Sequence, residues 1–334
     1  KTTTTTIISE LLKAQGYTVY LGGNIGRPLL CDVDDMGKDD AAVLELSSFQ
    51  LHSMVCKPNV AVITNVSPNH LDKHKDYQDY IDAKSSIFSY QDEHDRLVLN
   101  HENEFTPYYA EKAKSDIAYF SRTVKPENGV YCAGGMIYRV HGGKAALIMS
   151  ADDIKLPGTH NLENYMAAFA ATDGYVDDNT CIAVAKSFAG VEHRLEQVRV
   201  LNGVTYINDS IGTSPTRTAA GLHALKTKPI LIAGGYDKHI PFDELGNEIC
   251  LHVKKLYLTG ATTEKIYDAV INSKYYDGKL PIEKIYDFKE TVLAAANAAQ
   301  YGDIVLLSPA CAAFDKFKNF MERGKYFKQI VMEL

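Results

Sequence analysis

Lys1 and Thr2 stand directly before an apolar-periodic run and have the residue types that close a phosphate-binding loop, GxxxxGK[ST]. In that motif backbone N–H groups cradle phosphates, the lysine reaches the outer phosphates and the hydroxyl holds Mg²⁺. A polar tail is the other reading of two residues taken alone. Glu45 lies in the apolar run AVLEL at 42–46. A carboxylate there is costly to bury unpaired, so it needs an ion-pair partner or a metal ion beside the phosphates, and the residues alone leave both open. The next run, NVAVITN, ends at Asn65 and leads into VSPNHLD with His70 and Asp72. Imidazole is a poor ligand for Mg²⁺, so His70 taken alone reads as a loop residue.

These groups need elements to place them. Ile7, Ile8, Leu11 and Leu12 fall at helical spacing with Gly16 at a C-cap position, which predicts a helix over 2–15. Short apolar strands come next at 17–21, 42–46 and 59–65, and a helix over 77–90 carries Lys84. RLVLN, IAYF, GVYCAGGMIYRV and KAALIMS read as further strands, the middle ones joined by glycine turns. An alanine-rich helix opens at GTHNLEN with His160 or Asn161 near its cap, and Asn161 and Asn164 share one face of it.

The pattern resets near Val191. A hairpin turning at Asn202-Gly203 is followed by PILIAGG, KKLYLTG, TTEKIYDAV, KETVLAAANAAQ, DIVLLSPA and a closing helix. The expected fold is α/β: a P-loop-type, mostly parallel sheet domain for ATP over 1–190, then a Rossmann-like α/β domain over 191–334. Parallel strands present ligands at their carboxyl ends, where the polar residues above fall in order.

Composition narrows the function. Lys plus Arg number 35 against 42 Asp plus Glu, a net charge of −7 with no basic cluster, which argues against nucleic acid as a partner. The six cysteines are widely spaced with no CxxC, as in reduced cytoplasmic proteins, and no apolar run is long enough for a membrane span. The expected protein is a cytoplasmic monomer.

The ordered set KTTT, GGNIG, LELSSFQL, NVSPNHLD, YIDAKSSIF, GTHNLEN, EHRLE, INDS and LLSPACAAFDKFKNFMERG resembles the Mur ligase family along the whole chain. LELSSFQL and NDS favour its D-glutamate-adding members. The resemblance implies ligation of D-glutamate to UDP-N-acetylmuramoyl-L-alanine, driven by ATP through an acyl phosphate, with two Mg²⁺ ions. It implies that Lys1 is the P-loop lysine, that the glycines before it and a UDP-binding domain precede this sequence, and that this piece alone is inactive.

Residue by residue, the resemblance sets Lys1 and Thr2 on the ATP phosphates and Thr2, Glu45, His70 and Lys84 at metal, the last as a carbamate. Lys1, His70 and Lys84 are thereby its catalytic set. Asn161 and Asn164 are implied to meet adenine, Arg194 a phosphate, and Asp209 the ribose. Asn24 and Asn65 are implied to face the muramoyl peptide, although NIG is also a good turn. Thr213, Lys238 and the backbone of Phe320 are implied to take D-glutamate. Two departures touch these sites: Ile211 replaces a lysine, and Ala313 replaces a serine that would donate to the amino-acid carboxylate.

Three rival readings are another Mur-type or folylpolyglutamate synthetase-like ligase, a non-catalytic nucleotide-binding fragment, and an oxidoreductase. The last is weak because PILIAGGYDKH lacks GxGxxG.

Overall fold

The computed structural model describes residues 1–25, 29–66, 75–156 and 158–334. The chain forms two compact units, Lys1–Ala189 and Gly190–Leu334. Among the described residues no helix is long and apolar enough to cross a membrane.

The first unit runs α1 (Thr2–Gln15), β1 (Val19–Gly23), β2 (Ala41–Glu45), α2 (Ser48–Ser53), β3 (Val60–Ile63), α3 (Tyr77–Ser85) and β4 (Arg96–Asn100). It continues with α4 (Thr106–Lys112), β5 (Asp116–Ser121), β6 (Gly129–Ala133), β7 (Met136–His141), β8 (Lys144–Ser150), α5 (Thr159–Ala171) and α6 (Asp178–Ser187). Strands β3 to β8 form one sheet in chain order, parallel as far as β6 and antiparallel beyond. Among the described residues β1 and β2 hydrogen-bond to each other as a second, parallel pair. One apolar core still underlies both, with Ile7 and Leu11 of α1, Val43 of β2, Val98 of β4 and Phe169 of α5 in a single cluster.

Helix α1 ends where the sequence predicts. Gly16 has φ 107° and its N–H reaches the last turn, the left-handed cap that a Cβ would oppose. Helix α3 is shorter than 77–90: Ser85 closes it, and the residues after it form three-residue turns that bring Phe88 into the core. The cap of α5 is Gly158 rather than His160 or Asn161. The first turn therefore begins at Thr159 and carries the Asn161 side chain into the buried face.

The second unit runs β9 (Glu196–Leu201), β10 (Val204–Asn208), α7 (Pro215–His223), β11 (Ile230–Ala233), α8 (Asp243–His252) and β12 (Lys255–Leu258). It closes with α9 (Thr263–Ile271), β13 (Ile282–Lys284), α10 (Phe288–Ala298), β14 (Ile304–Leu307) and α11 (Phe320–Glu333). The sheet order is β13-β12-β11-β14-β10-β9, parallel except for β9. Asn202 and Gly203, both with positive φ, close the β9–β10 hairpin, as a two-residue turn of that twist requires.

Alternate strand residues face opposite layers. Leu231, Leu256 and Leu306 pack with Leu245 and Ile249 of α8, while Ile232, Tyr257 and Val305 pack with Val292 of α10 and Phe327 of α11. Because β14 inserts between β10 and β11, the chain reverses its direction across the sheet there. The carboxyl ends of these three strands are the ligand-binding position of such sheets.

Candidate functional site

In the first unit three of the sequence-predicted residues, Lys1, Thr2 and Asn24, converge on Glu45. This carboxylate, 4% exposed at the end of β2, accepts a hydrogen bond from Thr2 Oγ1 at 2.7 Å on one oxygen and from Asn24 Nδ2 at 3.1 Å on the other. Lys1 Nζ lies 3.4 Å from the same carboxylate and donates to the Leu46 carbonyl at 3.1 Å. Thr2 begins α1, so the carboxylate also sits at the positive end of a helix. Burial pushes the Glu45 pKa up, but the Thr2 and Asn24 hydrogen bonds and the Lys1 charge outweigh it and hold the group below its ordinary value. The choice left open by the sequence thus has a partial answer, since Glu45 is satisfied by protein groups.

Lys84, near the end of α3, is half-buried with Nζ 4.6 Å from the centre of the Tyr80 ring. Burial, helped by the charge of Lys1, pulls its pKa down to about 8. Asn65 accepts a hydrogen bond from Asn100 Nδ2 at 2.9 Å at the ends of neighbouring strands. Asn161 and Asn164 are joined by a 3.2 Å hydrogen bond, and Thr4 of α1 donates to Asn164 at 2.9 Å. The pair is therefore tied to the helix that starts at Lys1 and Thr2. His70 and Asp72 lie outside the described residues.

In the second unit Asp209 comes directly after β10, 5% exposed. Ser308 Oγ donates to one of its oxygens at 2.7 Å and the Leu195 N–H to the other at 3.2 Å. Burial dominates and raises its pKa to about 6, against the lowering effect of those hydrogen bonds and of Arg194 and Arg217. Lys238 donates to the Thr213 carbonyl at 3.2 Å, and both line a small cavity with Tyr236, Ala310 and Cys311. Burial lowers the Lys238 pKa, and Arg217 and Arg323 add to the effect, so the cavity lies in a cationic neighbourhood. The Phe320 carbonyl accepts from Ser210 Oγ at 2.8 Å. Its N–H, in the first turn of α11, has no intrahelical acceptor.

The two halves match separate families of sequence. A profile described as "Mur ligase middle domain" matches residues 1–172, and "Mur ligase, glutamate ligase domain" matches 193–311. The chain belongs to the Mur ligase family. Its relatives include the UDP-N-acetylmuramoylalanine–D-glutamate ligase of Acetivibrio thermocellus, 52% identical over 99% of this chain and 72% of that protein. The protein of the same description from Clostridium beijerinckii is 50% identical over 100% of this chain and 72% of the relative. Among solved structures, MurF ligase from Thermotoga maritima in complex with ADP superposes with a TM-score of 0.63, covering 99% of this chain and 78% of that chain at 17% identity. MurF from Acinetobacter baumannii gives 0.68 over 100% of this chain and 75% of that chain at 15% identity. At such identities these structures show a shared Mur ligase fold.

Sequence reasoning missed Arg323 and His193. Arg323, 2% exposed, donates to the carbonyls of Ser210, Cys311 and Ala312 and to Ser210 Oγ, binding α11 to the loops after β10 and β14. His193, also buried, takes up Asn208 Nδ2 at 2.9 Å and meets the Phe320 ring edge-on. The signal for Arg323 in the sequence is an arginine three residues after Phe320, hence on the same helix face. Ala313 is buried, and its carbonyl accepts from Lys316 and Phe317.

Two titrations probe these environments. The Lys84 amine, monitored by NMR after isotopic methylation, is expected to titrate near pH 8, and Lys1→Met to move the midpoint upward by removing a like charge. A midpoint at the ordinary lysine value would contradict the burial seen here. For Asp209 the folded pKa, about 6, exceeds the ordinary 3.8, so its contribution to stability is complete below 3.8 and is lost as pH rises through about 6. Urea unfolding across that window should show this slope in the wild type and a flatter one in Asp209→Asn.

Proposed function

We propose that this chain is part of an enzyme that joins D-glutamate to UDP-N-acetylmuramoyl-L-alanine at the expense of ATP in peptidoglycan precursor synthesis. The observation that carries the reading is the cluster of Lys1, Thr2 and Glu45 at the start of α1, in a chain half identical along its length to D-glutamate ligases. That identity also argues against the folylpolyglutamate synthetase-like and oxidoreductase readings.

A carboxylate is unreactive toward amines. Its oxygen attacks the γ-phosphorus of ATP, ADP leaves, and an acyl phosphate forms. The D-glutamate amine then attacks the acyl carbon, and phosphate leaves from the tetrahedral adduct with loss of the amine proton. Two anions must meet in the first step, so catalysis rests on positioning and on opposing their repulsion. Lys1 supplies a fixed positive charge beside the phosphates, and the N–H groups of the first turn of α1 point to the same place.

The Thr2 hydroxyl and the Glu45 carboxylate are hard oxygen donors in contact, and they fit Mg²⁺, which prefers oxygen. With His70 and a carbamate on Lys84 they would hold two such ions, which when bound spread the charge of the transferring phosphate. The depressed Lys84 pKa suits carbamate formation: about a tenth of its amine is neutral at pH 7, far more than for an ordinary lysine. Asn161 and Asn164 are assigned to adenine, Asp209 to the ribose and Arg194 to a phosphate. Asn24 and Asn65 are assigned to the muramoyl peptide, and Thr213, Lys238 and the Phe320 backbone to D-glutamate. ATP use and six free cysteines favour the cytoplasm as its compartment, and the protein is assigned as a monomer.

The test uses the full-length protein. Lys1→Ala should abolish acyl-phosphate formation, measured by borohydride trapping. Lys238→Ala, removing one charge-assisted contact worth roughly 1.5–3 kcal/mol, should raise the D-glutamate KM about 10- to 100-fold with the ATP KM nearly unchanged. Equal turnover of L-glutamate or L-alanine would refute the substrate assignment.

A further inference from the structure

At the opposite end of the second unit from Thr213, the last turns of two packed helices bring together His223 of α7 and Glu248 and His252 of α8. Glu248 and His252 are one helical turn apart, so both point from α8 toward the end of α7. The nine residues of α7 set this cluster about 12 Å along the helix from the Thr213 loop.

The geometry is that of a metal-ligand set. His223 Nε2 lies 2.8 Å and His252 Nε2 3.4 Å from the same Glu248 oxygen, and the three donor atoms are all within 4.8 Å of one another. A tetrahedral ion with arms of 2.0–2.1 Å has ligand-to-ligand edges of about 3.3 Å. The Glu248 oxygen is buried and, despite its short approach to His223, has no aligned hydrogen-bond partner among the described residues. The imidazole rings are 4.6 Å apart at 57°, close enough for both to reach one ion. Both histidines also stand in the last turn of their helices, where the backbone dipoles favour positive charge. His223 is 57% and His252 37% exposed, which leaves a path for an ion and room for water as a fourth ligand.

We propose that His223, Glu248 and His252 form a second metal site, separate from the Glu45 cluster, that takes a borderline divalent ion of the Zn²⁺ class. Two imidazoles and one carboxylate suit such an ion better than Mg²⁺, which prefers a shell made mostly of oxygen. Bound there, the ion clips α7 to α8. The near ends of those helices carry the loops with Thr213 and Lys238, so the clip steadies the walls of that cavity from the far side.

The experiment is calorimetric titration of the full-length protein with Zn²⁺ in a buffer that holds excess Mg²⁺ to fill oxygen-ligand sites. The wild type is expected to bind one more Zn²⁺ than His223→Gln, Glu248→Gln or His252→Gln, or to bind it at least about tenfold more tightly. Zn²⁺ should also raise the thermal unfolding temperature of the wild type alone. Circular dichroism in chelator checks the fold of each variant, and if one misfolds the other two decide. Equal Zn²⁺ stoichiometry and affinity in the wild type and the folded variants, or no binding at this site, would overturn the proposal.

Discussion

The first unit is organised around one buried negative charge. Removing the partners of a buried carboxylate costs several kcal/mol, so the groups that offset Glu45 are obliged to stay near it. Thr2 brings the start of α1, Asn24 the end of β1, and Lys1 the residue before the helix. Two segments distant in sequence from Glu45 are thereby held at the carboxyl edge of the β1–β2 pair. Charge-assisted hydrogen bonds are the strong ones, and both Glu45 oxygens have one. The same donors, a hydroxyl, an ammonium group and a helix N-terminus, are of the kinds that suit an anion.

The second unit solves the opposite problem. Its most buried charge is a cation, Arg323, and the groups around it are backbone carbonyls and a serine hydroxyl. A guanidinium has five donors in a fixed fork, and here they bind α11 to the loops after β10 and β14. Those loops are the ones that carry Asp209, Thr213 and Cys311. The positive charge left over, with Lys238 and Arg217 nearby, suits a ligand that arrives with carboxylates. Asp209 accommodates burial differently, by a raised pKa that makes its neutral form cheaper.

Lys84 shows how burial and like charge combine. Neither a half-buried position nor a neighbouring lysine is unusual by itself. Together they lower the amine to about 8, well below an ordinary lysine. The second-unit cluster of His223, Glu248 and His252 makes a similar point with another chemistry, since its three groups come from two helix ends and gain meaning only from their distances.

Much of this protein was legible in its residues. The helix from Thr2 with its cap at Gly16, the hairpin turning at Asn202-Gly203 and strands β11, β12 and β14 of the second unit arise from side-chain period and from backbone conformations that only certain residues adopt cheaply. The family resemblance rested on short motifs whose order was as informative as their content. Local pattern has less hold on features that burial decides. The early end of α3 and the turn of Asn161 into the core depend on which surfaces the rest of the chain covers. Short helices such as α4 and α6 lack a strong apolar period and went unforeseen. The partners of Glu45, the cation at Arg323 and the shifted pKa of Lys84 were set by tertiary packing, because desolvation and Coulomb attraction act between groups that only the folded chain brings close.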